Sequence, residues 1–136
     1  MATANIVYKG ELRNLATHLA SGVQIISDAP VDNHGKGEAF SPTDLTATSL
    51  GLCMMTIMGI YAQKNNIDLK DSTISISKIM SKELPRRIVE IGVELHIKTT
   101  NILTEDQKKA LENAAHTCPV ALSLHPEIKQ NIIFSW

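Results

Sequence analysis

The chain is short of aromatic residues, with one Trp, two Tyr and two Phe in 136 residues. It therefore has no series of rings on which successive bases could stack, which argues against a single-stranded nucleic-acid binder. Charge of either sign is balanced: 13 Lys and Arg against 14 Asp and Glu leave a formal net charge of -1. Neither a nucleic-acid footprint nor a polybasic membrane patch fits that balance. The opening segment MATANIVYKGEL has no apolar run of the kind a secretory leader needs. The longest apolar stretch, residues 50–60, is interrupted by Gly51, Thr56 and Gly59 and is too short to span a bilayer. No His-x3-His or Cys-x2-Cys spacing occurs among the five His and two Cys, so no metal site is expected, and no cofactor either. What these absences leave is a soluble, cytoplasmic protein, read as a single domain over 1–136, with 43% hydrophobic residues for its core.

Residues 5–9, 12–18 and 22–28 read as three short strands separated by Gly10 and Ser21-Gly22, and 29–40 as a polar loop with Pro30, Gly35 and Gly37. Ser41-Pro42-Thr43-Asp44 is a helix start, with Ser as N-cap, Pro at the first helical position and an acid three residues on. The helix should run to about Asn65, turning Leu45, Leu52, Met55 or Thr56 and Ile60 to a core. Its small residues Ala47, Ser49, Gly51 and Gly59 would admit a close neighbour. Strands follow at 73–79 and 89–97, the second alternating cleanly, with a turn at Lys82 to Pro85. Thr104 to Gln107 is a capping box opening a helix to about Thr117. Cys118-Pro119 interrupts that helix, and a short helix and a last strand at 128–134 follow. The order is βββ-α-ββ-α-α-β, an α+β fold with helices on one face of a largely antiparallel sheet.

The two cysteines, Cys53 and Cys118, stand 65 positions apart. Structural disulfides are rare in the cytosol, which favours a catalytic or redox-sensing pair over a staple. The alternative is two ordinary buried thiols, since free Cys is among the most buried residue types. Cys118 adjoins the start of the helix opened by Pro119, where free N–H groups favour a thiolate. Cys53, mid-helix, needs a cation brought from elsewhere. Lowering a thiol pKa from about 8.5 to about 5.5 raises its thiolate fraction roughly 30-fold at neutral pH, yet costs roughly 20-fold in nucleophilicity. A useful cation must therefore also steady the leaving group or orient the substrate, and the permanently charged fork of an arginine suits both tasks.

SPTDLTATSLGLC around Cys53 and ENAAHTCPV around Cys118, with the strand and helix order, resemble the OsmC/Ohr group of thiol-dependent organic hydroperoxide reductases over nearly the whole chain. The OsmC-like branch is the nearest in pattern, through Leu12-Arg13, Ala16-Thr17-His18, Phe40 to Leu45, Pro85 to Ile88, Thr117 to Val120 and Ser123 to Pro126. The resemblance implies an intertwined homodimer with active sites at the subunit interface. It implies a peroxidatic Cys53, a resolving Cys118, an organic hydroperoxide as substrate and an external dithiol reductant of lipoyl type. It places the family's arginine at Arg13. One departure stands out: where the Ohr and OsmC branches carry the glutamate that holds this arginine, ten residues before the first cysteine, this chain has Thr43. Asp44 or Glu38 could hold the arginine instead, although Asp44 has a capping role of its own.

Other residues carry weaker signals. Arg86 and Arg87 suit a solvated strand start, and His125 before Pro126 suits a turn. Met54, Met55 and Met58 could line an apolar pocket or simply fill a core. A rival reading keeps the fold but makes the protein a weakly catalytic or non-catalytic dimeric binder of a small apolar ligand.

Overall fold

The computed structural model describes residues 1–136. Contacts along the chain divide it into two units, Met1–Thr46 and Ala47–Trp136. The α+β class is observed, but the strands form two three-stranded sheets, one in each unit.

In the N-terminal unit β1 (Ala4–Gly10), β2 (Arg13–His18) and β3 (Gln24–Asp28) form an antiparallel meander. The first turn is tight: Gly10, Glu11 and Leu12 all have positive φ, at 82°, 51° and 63°. Two central residues of that hand match the twist of the flanking strands, which is why β2 starts at Arg13 rather than Leu12. Both faces of this sheet carry an apolar row. Val7, Leu15 and Ile26 pair across one face, and Ile6, Ala16 and Ile25 across the other. Yet Val7 and Ile6 are 56% and 68% exposed, and Ile25 and Ile26 are exposed as well. The 29–40 loop contains a single 3₁₀ turn at Val31–Asn33 and returns to β3, where Asp28 N–H donates to Phe40 O at 3.1 Å.

Helix α1 (Pro42–Lys64) opens as its sequence requires. Asp44 N–H donates to Ser41 Oγ at 3.0 Å, and Ser41 N–H donates to Asp44 Oδ2 at 2.9 Å, a reciprocal cap. Its buried side is not the expected one. Ala47, Leu50, Gly51, Met54, Met58 and Ala62 are buried, whereas Leu52 is 66% exposed and Thr56 and Ile60 are exposed. The helix is apolar nearly all round, so periodicity has no polar face from which to choose the inward one. By length and composition α1 could cross a membrane, with a mean hydropathy of 1.5 over its apolar window. The sequence expectation of too short a span counted unbroken apolar residues only.

In the second unit β4 (Thr73–Met80) and β5 (Ile88–His96) are antiparallel, and β6 (Lys129–Ser135) lies parallel to β5. The parallel pairing is made by a long return through α2 (Glu105–His116) and α3 (Pro119–Ser123). Ile91, Val93 and Leu95 of the central strand are fully buried beside Ile74 and Ile76 of β4 and Ile132 and Phe134 of β6. Each such side chain contributes about 1.5–3 kcal/mol through burial. Gly51 lets α1 approach this sheet: a Cβ there would stand 2.7 Å from Ile76 Cδ1 and 3.3 Å from Ile74 Cγ2. No such neighbour faces Gly59. The Thr104–Gln107 capping box is present at α2. At the chain end Trp136 stacks on Phe134 with centroids 6.4 Å apart, Phe134 meets the edge of His116, and Trp136 Nε1 donates to Glu112 at 2.9 Å.

Candidate active site

Local chemistry positions the two thiols. The residue before proline is driven out of the α region, so Cys118, with φ -65° and ψ 148°, lies just past the Thr117 cap of α2 and is the N-cap of α3, with Pro119 at its first position. Its Sγ accepts from Ala121 N–H at 3.4 Å, and Ala121 O accepts from Gln130 Nε2 of β6 at 2.9 Å. Cys118 is thereby tied to the sheet through one intervening residue. It is fully buried, whereas Cys53 on α1 is half-buried, and both thiols are reduced. Cys118 belongs to the buried apolar cluster, Cys53 packs against it, and the two thiols share a side-chain hydrogen bond.

The helix start at Cys118 does not win the balance of charge. Burial pushes the thiol above its ordinary 9.0, outweighing the N–H groups of Ala121 and Val120, and hydrogen bonding and charge from Cys53 raise it further. The expected thiolate preference is thus reversed, because a single-turn helix offers little dipole while loss of water penalises the anion directly. Met54 and Met58 are wholly buried core and Met55 is half-buried. One side of α1 and the edge of β4 frame a groove of about 410 Å³ lined by Gly51, Leu52, Met55, Thr56, Ser72 and Ile74, and Cys53 is not part of its lining.

The arginine lies in the N-terminal unit, with a partner that sequence reasoning missed. Arg13, first residue of β2, stands directly opposite Asp28, last residue of β3. Arg13 Nε donates to Asp28 Oδ1 and Nη2 to Oδ2, both at 2.7 Å, a two-point fork on a carboxylate only 1% exposed. Asp28 Oδ2 also accepts from Glu38 N–H at 3.1 Å. The Arg13 guanidinium holds the Asp28 carboxyl below its usual 3.8, and Asp28 in turn raises the arginine. Glu38 places Oε1 3.5 Å from Nη2, a long contact from a side chain 65% exposed. Lys36 and Glu11 form a further ion pair at the rim of this group. Asp44 is engaged in the α1 cap, and Thr43 Oγ1 lies 3.1 Å from Ser41 Oγ. Arg13 and Asp28 stand at matching distances either side of the β2–β3 turn, and that symmetry was the available signal for their pairing.

The remaining candidates occupy the surface. Arg87 pairs with Glu127 at 2.8 Å, both exposed, and His125 Nδ1 accepts from Glu127 N–H at 3.1 Å within its turn. No three His, Cys, Asp or Glu side chains gather as a metal site would require.

Comparison with known proteins follows the same lines. The OsmC-like protein family matches residues 35–132. A Psychrobacter arcticus structure, named for osmotic stress induction and detoxification response, is 47% identical, with a TM-score of 0.93 over 99% of this chain and 96% of its own. An OsmC-like protein of unknown function from Vibrio cholerae is 17% identical, with a TM-score of 0.79 over 98% and 100%. The organic hydroperoxide resistance protein OsmC of Legionella pneumophila is 20% identical, with a TM-score of 0.71 over 100% and 98%. No curated protein matches the chain.

Proposed function

The chain belongs to the OsmC-like protein family, and from that premise we propose that it is a thiol peroxidase reducing organic hydroperoxides to alcohols. The observation that carries this reading is the pairing of a half-exposed Cys53 with a buried, protonated Cys118 in one cluster. The name of the Legionella relative agrees with the substrate class.

The Cys53 sulfur attacks the distal peroxide oxygen, the O–O bond breaks, and the alkoxide leaves as alcohol after taking up a proton. Sulfur is oxidised by two electrons to the sulfenic acid while the peroxide is reduced. Cys118 then bonds to Cys53 and the sulfenic hydroxyl leaves as water, so one hydroperoxide and two thiols yield one alcohol, one water and one disulfide. An external dithiol of lipoyl type reduces that disulfide. Arg13 orients the peroxide and steadies the departing oxygen, which is where a fixed cation acts on the transition state rather than on the thiol alone. The protein works in the cytoplasm.

Its working form is a homodimer. The support is the N-terminal sheet, apolar on both faces and exposed on both, together with the exposed Leu52 and Ile60 of α1. Apolar faces left open to water on both sides of a sheet call for cover, and a second copy supplies it.

The test is thiol counting after one equivalent of cumene hydroperoxide. Rapid loss of both thiols as an intramolecular disulfide is expected, and Cys118→Ser should leave a Cys53 sulfenic acid that dimedone traps. Slow, non-stoichiometric loss would overturn the enzyme and leave a binding protein using the groove on α1.

A further inference from the structure

Two carboxylates meet the Arg13 guanidinium, and they meet it in opposite ways. Asp28 is buried, two-point and short, and it is itself fixed by the Glu38 N–H and by its own N–H to Phe40 O. The Glu38 side chain is exposed, one-point and long. Arg13 Nη1 engages neither acid. Resting on the peroxidase reading above, we propose that Asp28 is the positioning residue that fixes the Arg13 fork, while Glu38 is a displaceable occupant of its outer edge that yields to the peroxide oxygen.

A guanidinium held at Nε and Nη2 by one carboxylate has its plane set, leaving the Nη1 side and the second Nη2 N–H as the donors open to an incoming oxygen. Glu38 takes that second N–H only at 3.5 Å, at the limit of a hydrogen bond, so an oxygen at ordinary distance competes well for it. Its charge also opposes the negative charge that grows on the leaving oxygen. The acid that orders the arginine and the acid that competes for it should therefore have opposite effects when neutralised. A purely structural pair would not, since removing either ion-pair partner would only loosen the loop.

The test compares Asp28→Asn, Glu38→Gln and Arg13→Lys in steady-state hydroperoxide reduction, with melting temperature and the iodoacetamide rate of Cys53 as controls that do not need the arginine. Asp28→Asn should lower kcat/KM by about 10–100-fold, the scale of a misplaced catalytic donor. Glu38→Gln should lower KM by about 2–5-fold with kcat unchanged or higher, the size expected of a screened surface charge. Alkylation of Cys53 should stay within about twofold of wild type in both variants if only the arginine is disturbed. If Asp28→Asn does not fold, Asp28→Glu keeps the charge and shifts the fork, and it should lose activity in the same direction. Full activity in Asp28→Asn or Asp28→Glu beside an impaired Arg13→Lys overturns this proposal and leaves the peroxidase reading intact. A Glu38→Gln loss as large as that of Asp28→Asn overturns the division of roles. Unimpaired Arg13→Lys, or a wild type that consumes no peroxide, brings down the underlying reading and this proposal with it.

Discussion

The two units of this chain bury opposite kinds of residue. Every fully buried apolar side chain lies at Ala47 or beyond, while the buried residues of the N-terminal unit are Asp28 and Ser41, both polar. The second unit is thus organised by hydrophobic burial around β5, and the first by an ion pair and a helix cap. The lesson is that apolar content does not decide burial. The N-terminal sheet carries Ile6, Val7, Leu15, Ile25 and Ile26, yet within one chain it fully buries none of them.

The contrast can be broken or sharpened by experiment. The largest effect belongs to the second unit: Cys53→Ser should reduce peroxide turnover by about 10³-fold or more, measured as alcohol formed. Retained turnover would move the chemistry elsewhere. Next, Leu95→Ala should cost about 2–5 kcal/mol in urea unfolding, because a fully buried Leu leaves a cavity behind.

The matching change in the first unit, Ile25→Lys, should cost within about 0.5 kcal/mol if the sheet stays bare. If a second copy covers it, the variant should instead lose its dimer. Light scattering would then fall from twice the 14.9 kDa chain mass to that mass itself. A wild type found at the single-chain mass would refute the dimer.

The smallest effects are those of pH, and they separate the units at opposite ends of the scale. Asp28 is held below its usual 3.8, so the native state binds fewer protons than the unfolded chain in acid. Its stabilisation is whole above that value and is lost as pH falls below it, a slope that Asp28→Asn should remove. Cys118 lies above its ordinary 9.0, so its contribution is whole below that pH and declines as the solution becomes more alkaline. The Cys118 alkylation rate should accordingly still be climbing past pH 9, as mass spectrometry of iodoacetamide adducts would read.

Local signals were legible in the sequence wherever the chain needs only near neighbours. Both capping boxes, the break at Cys118-Pro119 and the order of elements follow from residues within one turn of each other. What the residues did not disclose is long-range. The partner of Arg13 depends on β2–β3 register, the split into two sheets depends on β6 returning parallel to β5, and the buried side of an all-apolar α1 depends on what packs there. Cys118 shows a local rule overruled. The helix start favours its anion, but complete burial favours the proton, and burial prevails.

Trp136 is the sole tryptophan, and its ring is fastened to Phe134 and Glu112 in the second unit. Intrinsic emission excited at the red edge will consequently report first on the packing of the chain end against β6 and α2, the half of the protein that carries both thiols.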